Sequence, residues 1–159
     1  MGRLSLCLDT STVIDLIRGR LPDVRLHYRA SVQSGVEVVV SAVVLHELVS
    51  GIATSRDPAV ERRRMELTLV GLPVLDLTAD DVETTGRVAG ALRACGRSIG
   101  DLDTLIAGQA LARGWTVVTR NVRHFGRVEG LPLIDWGVSP ELLSSAEIAA
   151  RLDEGDRET

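Results

Sequence analysis

Short apolar runs punctuate the chain, separated by longer segments in which apolar positions recur with helical spacing. The runs are Leu4 to Leu8, Val36 to Val40, Pro73 to Leu77, Trp115 to Thr119 and Leu131 to Trp136. Runs this short, without polar alternation, predict strands buried on both faces. Between them, helices are expected over Ser11 to Arg18, stopped by Gly19, and over Leu21 to Ser34, with Pro22 in the first turn and Gly35 after the end. Ser41 caps a helix through Ala53, and Pro58 to Val70 forms another. Thr78 caps a helix to Ala94, with Asp80 and Asp81 in its first turn where acids are favoured. Further helices are expected over Asp101 to Arg113 and Ser139 to Leu152. This alternation predicts an α/β fold with a central parallel sheet covered on both faces. Residues 1–152 read as one domain and 153–159 as a polar, frayed tail.

Composition narrows the classes. With 159 residues, 45% of them hydrophobic, the chain can bury one good core and is too short for two ordinary domains. No apolar run reaches the ~18–20 residues needed to span a bilayer. The opening MGRLSLCLDTSTV lacks the features of a signal peptide, so a cytoplasmic protein without a membrane partner is expected. Cys7 reads as a buried reduced thiol, and no Cys/His spacing resembles a zinc site. All 18 basic residues are arginine, which excludes a P-loop lysine, a Schiff-base lysine and a lysine general base. At 3% aromatics, an aromatic platform for stacked bases is not expected. The net charge of -4 gives no general attraction for nucleic acid, so any such binding must rest on local arginines.

The candidate chemistry lies in acids beside strand ends. Asp9 directly follows the first apolar run, and Asn121, the only asparagine, follows the run at Trp115. Ligands in open α/β sheets bind beyond the carboxyl ends of strands. On its helix, Glu47 shares a face with Val43, Val44, Ser50 and Gly51, and Asp103 shares one with Ile106, Ala107 and Ala110. A carboxylate on such a face is costly unless it meets a cation. For Glu47 that cation could equally be an arginine, for Asp103 the helix N-terminus suffices, and Asp9 could merely bond the amides of the next helix. Asp101 reads as an N-cap, and Asp15 as the partner of Arg18 on an exposed face. Three carboxylates and an amide oxygen together suit Mg²⁺, with Mn²⁺ able to substitute. Such an ion polarises a phosphoryl oxygen and activates a water. Thr10, Ser11 and Thr119 could bind a phosphate or a metal water, or simply cap and turn. No GxSxG is present, and the three histidines form no triad.

At these residues the sequence resembles the PIN-domain nucleases, specifically VapC-type toxins of bacterial toxin–antitoxin modules. LCLDTSTVIDLIRG resembles the family's opening strand and helix, with Asp9 at the first acid. SAVVLHELVSGI is similar to the second motif with Glu47, and IGDLDTLIAGQALARG to the third with Asp103. VVTRNVRHF and LPLIDW resemble the fourth motif and the terminal strand, with Asn121 at the fourth position. The chain departs from many relatives in having Ser11 in place of asparagine. The neutral Asn121, shared with many relatives, lowers the site's charge. The resemblance implies a three-layer α/β/α fold, a homodimer and Mg²⁺-dependent hydrolysis of RNA, with tRNA among the candidate substrates. It also implies inhibition by a cognate VapB-type antitoxin. On this basis Asp9, Glu47, Asp103 and Asn121 are the catalytic set, with Asp9 and Asp103 on the metal and Glu47 and Asn121 acting through water. Arg120, Arg123 and His124 lie close by in sequence as candidate phosphate contacts, or as a solvated loop. The competing expectation is a PIN-like RNA- or protein-binding module without catalysis, against which the intact set of carboxylates speaks.

Overall fold

The computed structural model describes residues 4–156. The strands are β1 (Ser5–Leu8), β2 (Glu37–Ser41), β3 (Val74–Leu75), β4 (Thr116–Val118) and β5 (Leu133–Ile134), all parallel in the order β3-β2-β1-β4-β5. The helices are α1 (Thr10–Arg18), α2 (Pro22–Gln33), α3 (Ala42–Ala53), α4 (Pro58–Leu69), α5 (Ala79–Ala94), α6 (Asp101–Arg113), α7 (Val122–Phe125) and α8 (Ser145–Asp156). No helix among the described residues is long and apolar enough to cross a membrane.

Four strands form where the apolar runs predict, because both faces are covered; the Pro73 to Leu77 run yields only the two-residue edge strand β3, which is not buried, with Val74 exposed. Cys7, Leu8, Val39, Val40, Val117 and Val118 are fully buried. The chain steps outward from β1 to β2 to β3, then jumps back over both to β4 and continues to β5. Right-handed crossovers in opposite directions set α1 to α4 on one face and α5 to α7 on the other. The result is the three-layer α/β/α arrangement. Strand order reverses between β1 and β4, and this is where a crevice opens in doubly wound sheets. Asp9 and Thr119 end those two strands. Across the second layer, α5 and α6 pack very closely: a Cβ on Gly108 would stand 2.5 Å from Thr85 Cα. Glycine alone permits that approach.

The C-terminal region departs from expectation. Only Leu133 and Ile134 of the last apolar run join the ladder, while Asp135 bends the chain by accepting from the amides of Val138 and Ser139 at 2.9 Å each. The final helix begins after Ser144, not at Ser139. Ser144 and Glu147 form a reciprocal cap, with the Ser144 amide donating to Glu147 Oε2 at 2.7 Å and the Glu147 amide to Ser144 Oγ at 3.2 Å. Ser139 instead receives the Glu141 amide in a turn. The helix runs on through Asp156, so residues 153–156, expected as tail, are helical; the rest of that tail lies outside the described residues. Helix α7 is an addition, since four residues are too few for a periodic signal.

A candidate active site at the carboxyl edge of the sheet

Asp9 is the hub of the site. It leaves β1 with φ -73° and ψ 160° and caps α1 by accepting from the Ser11 amide at 3.2 Å. Its other carboxyl oxygen accepts from Ser11 Oγ at 2.8 Å and from Thr119 Oγ1, the residue after β4. The backbone reinforces this: Asp9 N and Thr12 Oγ1 both donate to Val118 O, at 3.0 and 2.9 Å. Asp9 is thus fixed between the strands where the order reverses. It does bond the following helix, as its simplest role requires, but it is 3% exposed and none of the ion pairs of the described residues includes it. Burial pushes its pKa up and the charge of Asp103 adds to this, against the bonds from Thr119 and Ser11, which pull it down.

Asp103 reaches the same crevice from the first turn of α6. Its Oδ2 lies 2.7 Å from His124 Nδ1 and accepts from Asn121 Nδ2 at 3.4 Å. Asn121 caps α7 only through its backbone, whose carbonyl accepts from the amides of His124 and Phe125 at 3.1 and 3.2 Å. Its side chain is therefore left to face Asp103. Glu47, on α3, is half-buried and accepts through Oε2 from Thr10 Oγ1, the neighbour of Asp9. No described ion pair joins Glu47 to an arginine. It lines a groove of about 600 Å³ together with apolar side chains such as Ile14, Leu48, Ile52 and Met65 and charged ones such as Arg18 and Arg64.

The hydroxyls considered for phosphate are engaged within the site. Ser11 and Thr119 donate to Asp9, and Thr10 donates to Glu47. They also accept: Thr119 Oγ1 from the Asn121 amide at 2.9 Å, and Ser11 Oγ from the Arg120 amide at 3.2 Å. Asp101 is not the N-cap of α6. Gly100 is, at φ 94°, and its carbonyl accepts from the Thr104 amide at 3.1 Å and from Thr104 Oγ1 at 2.6 Å. Asp101 follows as an exposed first-turn acid. Asp15 does not pair with Arg18; it takes Arg120 at 3.3 Å, which ties the post-β4 turn to α1. Arg123 is exposed on α7.

His124 on Asp103 is the contact that the sequence conceals. Its one signal is the spacing of Asn121 and His124, three apart, which brings both onto one acid once a helical turn forms there. Cys7 is excluded as a nucleophile, because burial and the nearby Asp9 charge push its thiol up to about 12.

The donor set suits a hard cation that keeps most of its water. Asp9 and Asp103 are two electrostatically coupled carboxylates with an amide beside them, and Mg²⁺ typically takes one or two carboxylates plus waters. No group of three or more His, Cys, Asp and Glu among the described residues is placed to hold a metal ion, so a cage of three carboxylates is not what the donors form.

Comparison with known proteins agrees with this architecture. The PIN domain family matches residues 6–131. A tRNA(fMet)-specific endonuclease VapC from Shigella flexneri is 35% identical over 133 residues, which are 84% of this chain and 98% of the relative. Ribonuclease VapC19 from Mycobacterium tuberculosis is 31% identical over 119 residues, covering 74% and 90% of the two chains. DNA-bound VapBC from Salmonella typhimurium matches with a TM-score of 0.77 and 32% identity, over 84% of this chain and 98% of that one. VapBC2 from Rickettsia felis, bound to a promoter DNA fragment, gives 0.79 and 25% over 84% and 99%. The chain belongs to the PIN-domain family and, within it, to the VapC proteins.

Proposed function

We propose that this chain is an Mg²⁺-dependent endoribonuclease, the toxin of a toxin–antitoxin pair, acting in the cytoplasm on RNA with tRNA among its candidate substrates. One observation carries this most: buried Asp9 is bonded by Thr119, Thr119 receives the Asn121 amide, and the Asn121 side chain reaches Asp103, so the two acids meet at one turn of the carboxyl edge. Two such carboxylates repel until a cation arrives. Asp9 and Asp103 would hold the ion directly. When bound there, Mg²⁺, or Mn²⁺ in its place, polarises a phosphoryl oxygen and activates a water. Ser11 and Thr119 keep Asp9 aimed, while Asn121 and His124 do the same for Asp103. Glu47, fixed through Oε2 by Thr10, would act on the ion through a water. Arg120 and Arg123 lie on the turn beside Asn121, where they can meet the phosphates flanking the scissile bond.

The partner is a cognate VapB-type antitoxin, and the working form is a homodimer built on the single domain of residues 1–152. The groove that Glu47 lines supports the antitoxin: a segment seated there would place a cationic or apolar anchor beside Glu47. Purified protein should cut RNA in Mg²⁺ and stop in EDTA. Asp9→Asn and Asp103→Asn should each abolish cutting while far-UV circular dichroism stays that of the parent. A folded variant that cuts as fast as the parent would refute the role of that residue. Monomers at micromolar concentration in light scattering would refute the dimer.

A further inference from the structure

We propose that a groove between the α5–α6 turn and α8 holds the RNA strand beyond the scissile bond, through Arg97 and Arg127. This rests on the ribonuclease assignment and adds to it the path of the substrate. The groove measures about 480 Å³, and Cys95, Arg97, Arg127, Ala149, Leu152 and Asp153 lie along it. A second groove of about 610 Å³ shares Cys95, Arg97 and Arg127 and continues toward Arg87 and Glu129. The two grooves meet at these shared residues, the second having apolar side chains such as Val88, Leu92 and Leu111 along its remaining wall, and we take them together as one channel.

Among the described residues neither guanidinium enters an ion pair. The Arg127 guanidinium donates to the Ser98 carbonyl at 3.3 Å. Arg97 enters no ion pair among the described residues, and Asp153 and Glu129, though on the walls, pair with neither arginine. Elsewhere arginines take nearby carboxylates: Arg64 pairs with Glu61, Arg87 with Glu83 and Arg151 with Asp135. Two cations along one groove suit a run of phosphates, which arginine grips with its fork. The lining holds no aromatic side chain, so it grips backbone and does not stack bases.

The elements that carry the two arginines adjoin those that carry the acidic site. The Arg127 amide donates to the His124 carbonyl at 3.1 Å, and the His124 ring meets Asp103. Ser98, which receives Arg127, belongs to the turn that leads into Asp101 and Asp103. The outer wall comes from α8, which lies beyond the family match at residues 6–131. Arg151 ties it to the buried Asp135 at 2.6 Å, and Ile148 sits where a Cβ on Gly126 would be 2.7 Å from its Cγ2. This part of the channel is therefore an addition to the matched domain.

The test is binding of a short single-stranded RNA in EDTA, followed by fluorescence anisotropy over a range of salt concentrations. The parent's affinity should fall with salt. The double variant Arg97→Gln, Arg127→Gln should bind roughly 10-fold more weakly at low salt, with the slope of log K against log salt shallower by about 1.4 for two lost phosphates. Asp153→Asn should tighten binding. The thermal midpoint and its rise with Mn²⁺ establish that each variant is folded. A parent that binds no RNA overturns the ribonuclease assignment and the channel with it. A parent that binds, with a slope the double variant leaves unchanged, overturns the channel alone. If the double variant loses polyglutamate but keeps RNA, the groove takes acidic peptide and the proposal is likewise overturned.

Discussion

Asp81 and Asp9 are both 3% exposed, yet the fold completes one and leaves the other open. Asp81 closes a capping box with Thr78 at the start of α5 and takes Arg113 through both oxygens, at 2.9 and 2.7 Å. Arg113 is held in turn by the Asp76 carbonyl and lies 5.0 Å over the Trp115 ring. The Arg113 bond first, then those of Thr78, hold the Asp81 carboxyl far below the usual range despite burial. Among the described residues Asp9 meets hydroxyls and an amide but no guanidinium, and its pKa moves the other way. A carboxylate finished inside the protein serves stability; one that lacks only a cation serves what binds there.

The sharpest way to break this contrast is to neutralise each acid. Asp9→Asn should cut RNA cleavage by about 100-fold or more, since the ion loses a direct ligand, and leave the melting temperature near the parent's. Asp81→Asn should do the reverse. Stranding Arg113 and weakening the cap costs on the order of 2–4 kcal/mol, which lowers the midpoint by roughly 5–15 °C in a chain of this size. Cleavage measured well below that midpoint should persist. Asp81→Asn that melts like the parent would show its ion pair to be dispensable.

Metal should then stabilise through one acid only. Mn²⁺ at about 100 times its Kd should add about 2.7 kcal/mol to the stability of the parent, read as a rise in thermal midpoint. Asp81→Asn should keep that increment and Asp9→Asn should lose most of it. An undiminished rise in Asp9→Asn would place the ion elsewhere.

The two acids should also shape opposite limbs of the pH profile of the metal-free chain. Both have an ordinary value of 3.8. Asp81 is shifted down, so its stabilisation is complete above that value and fades as pH falls below it. Asp9 is shifted up, so the folded chain holds a proton the unfolded chain releases, and stability declines as pH rises from 3.8 toward the folded value. Urea melts should show Asp81→Asn flattening the acid limb and Asp9→Asn flattening the decline above it.

How far this contrast was legible in the sequence follows from distance along the chain. β1, β2, β4 and β5 were readable because a short run of buried residues leaves little else to be, while the exposed edge strand β3 showed only as an apolar run. Thr78 with Asp81 is a local box, and Asp9 at the end of β1 is a local signal as well. Partners of Asp81 and Asp103 were not readable, since Arg113 and His124 are 32 and 21 residues away and meet them only after packing. Helix α7 is too short to announce itself, and with it the contact of His124 with Asp103 was hidden, although His124 itself lies close to the site in sequence. Ser139 and Ser144 both offer a cap, and only the Glu three residues after Ser144 distinguishes them.

The smallest expected effect concerns the fourth position of the site. Asn121 touches Asp103 at 3.4 Å, a long bond from a neutral group, so it orients the acid more than it charges the ion. Asn121→Ala should weaken Mg²⁺ binding by about 10-fold or less, below the loss in Asp9→Asn or Asp103→Asn. Asn121→Asp, which adds a charge at the same point, should tighten it. Asp101 is the rival for this position: it stands two residues before Asp103, exposed, with Gly100 performing the cap it would otherwise supply. Successive first-turn residues point about 100° apart, so residues two apart face away from each other. Asp101→Asn should therefore leave Mg²⁺ affinity unchanged by isothermal titration. Loss of affinity in Asp101→Asn, with none in Asn121→Ala, would give the fourth position to Asp101.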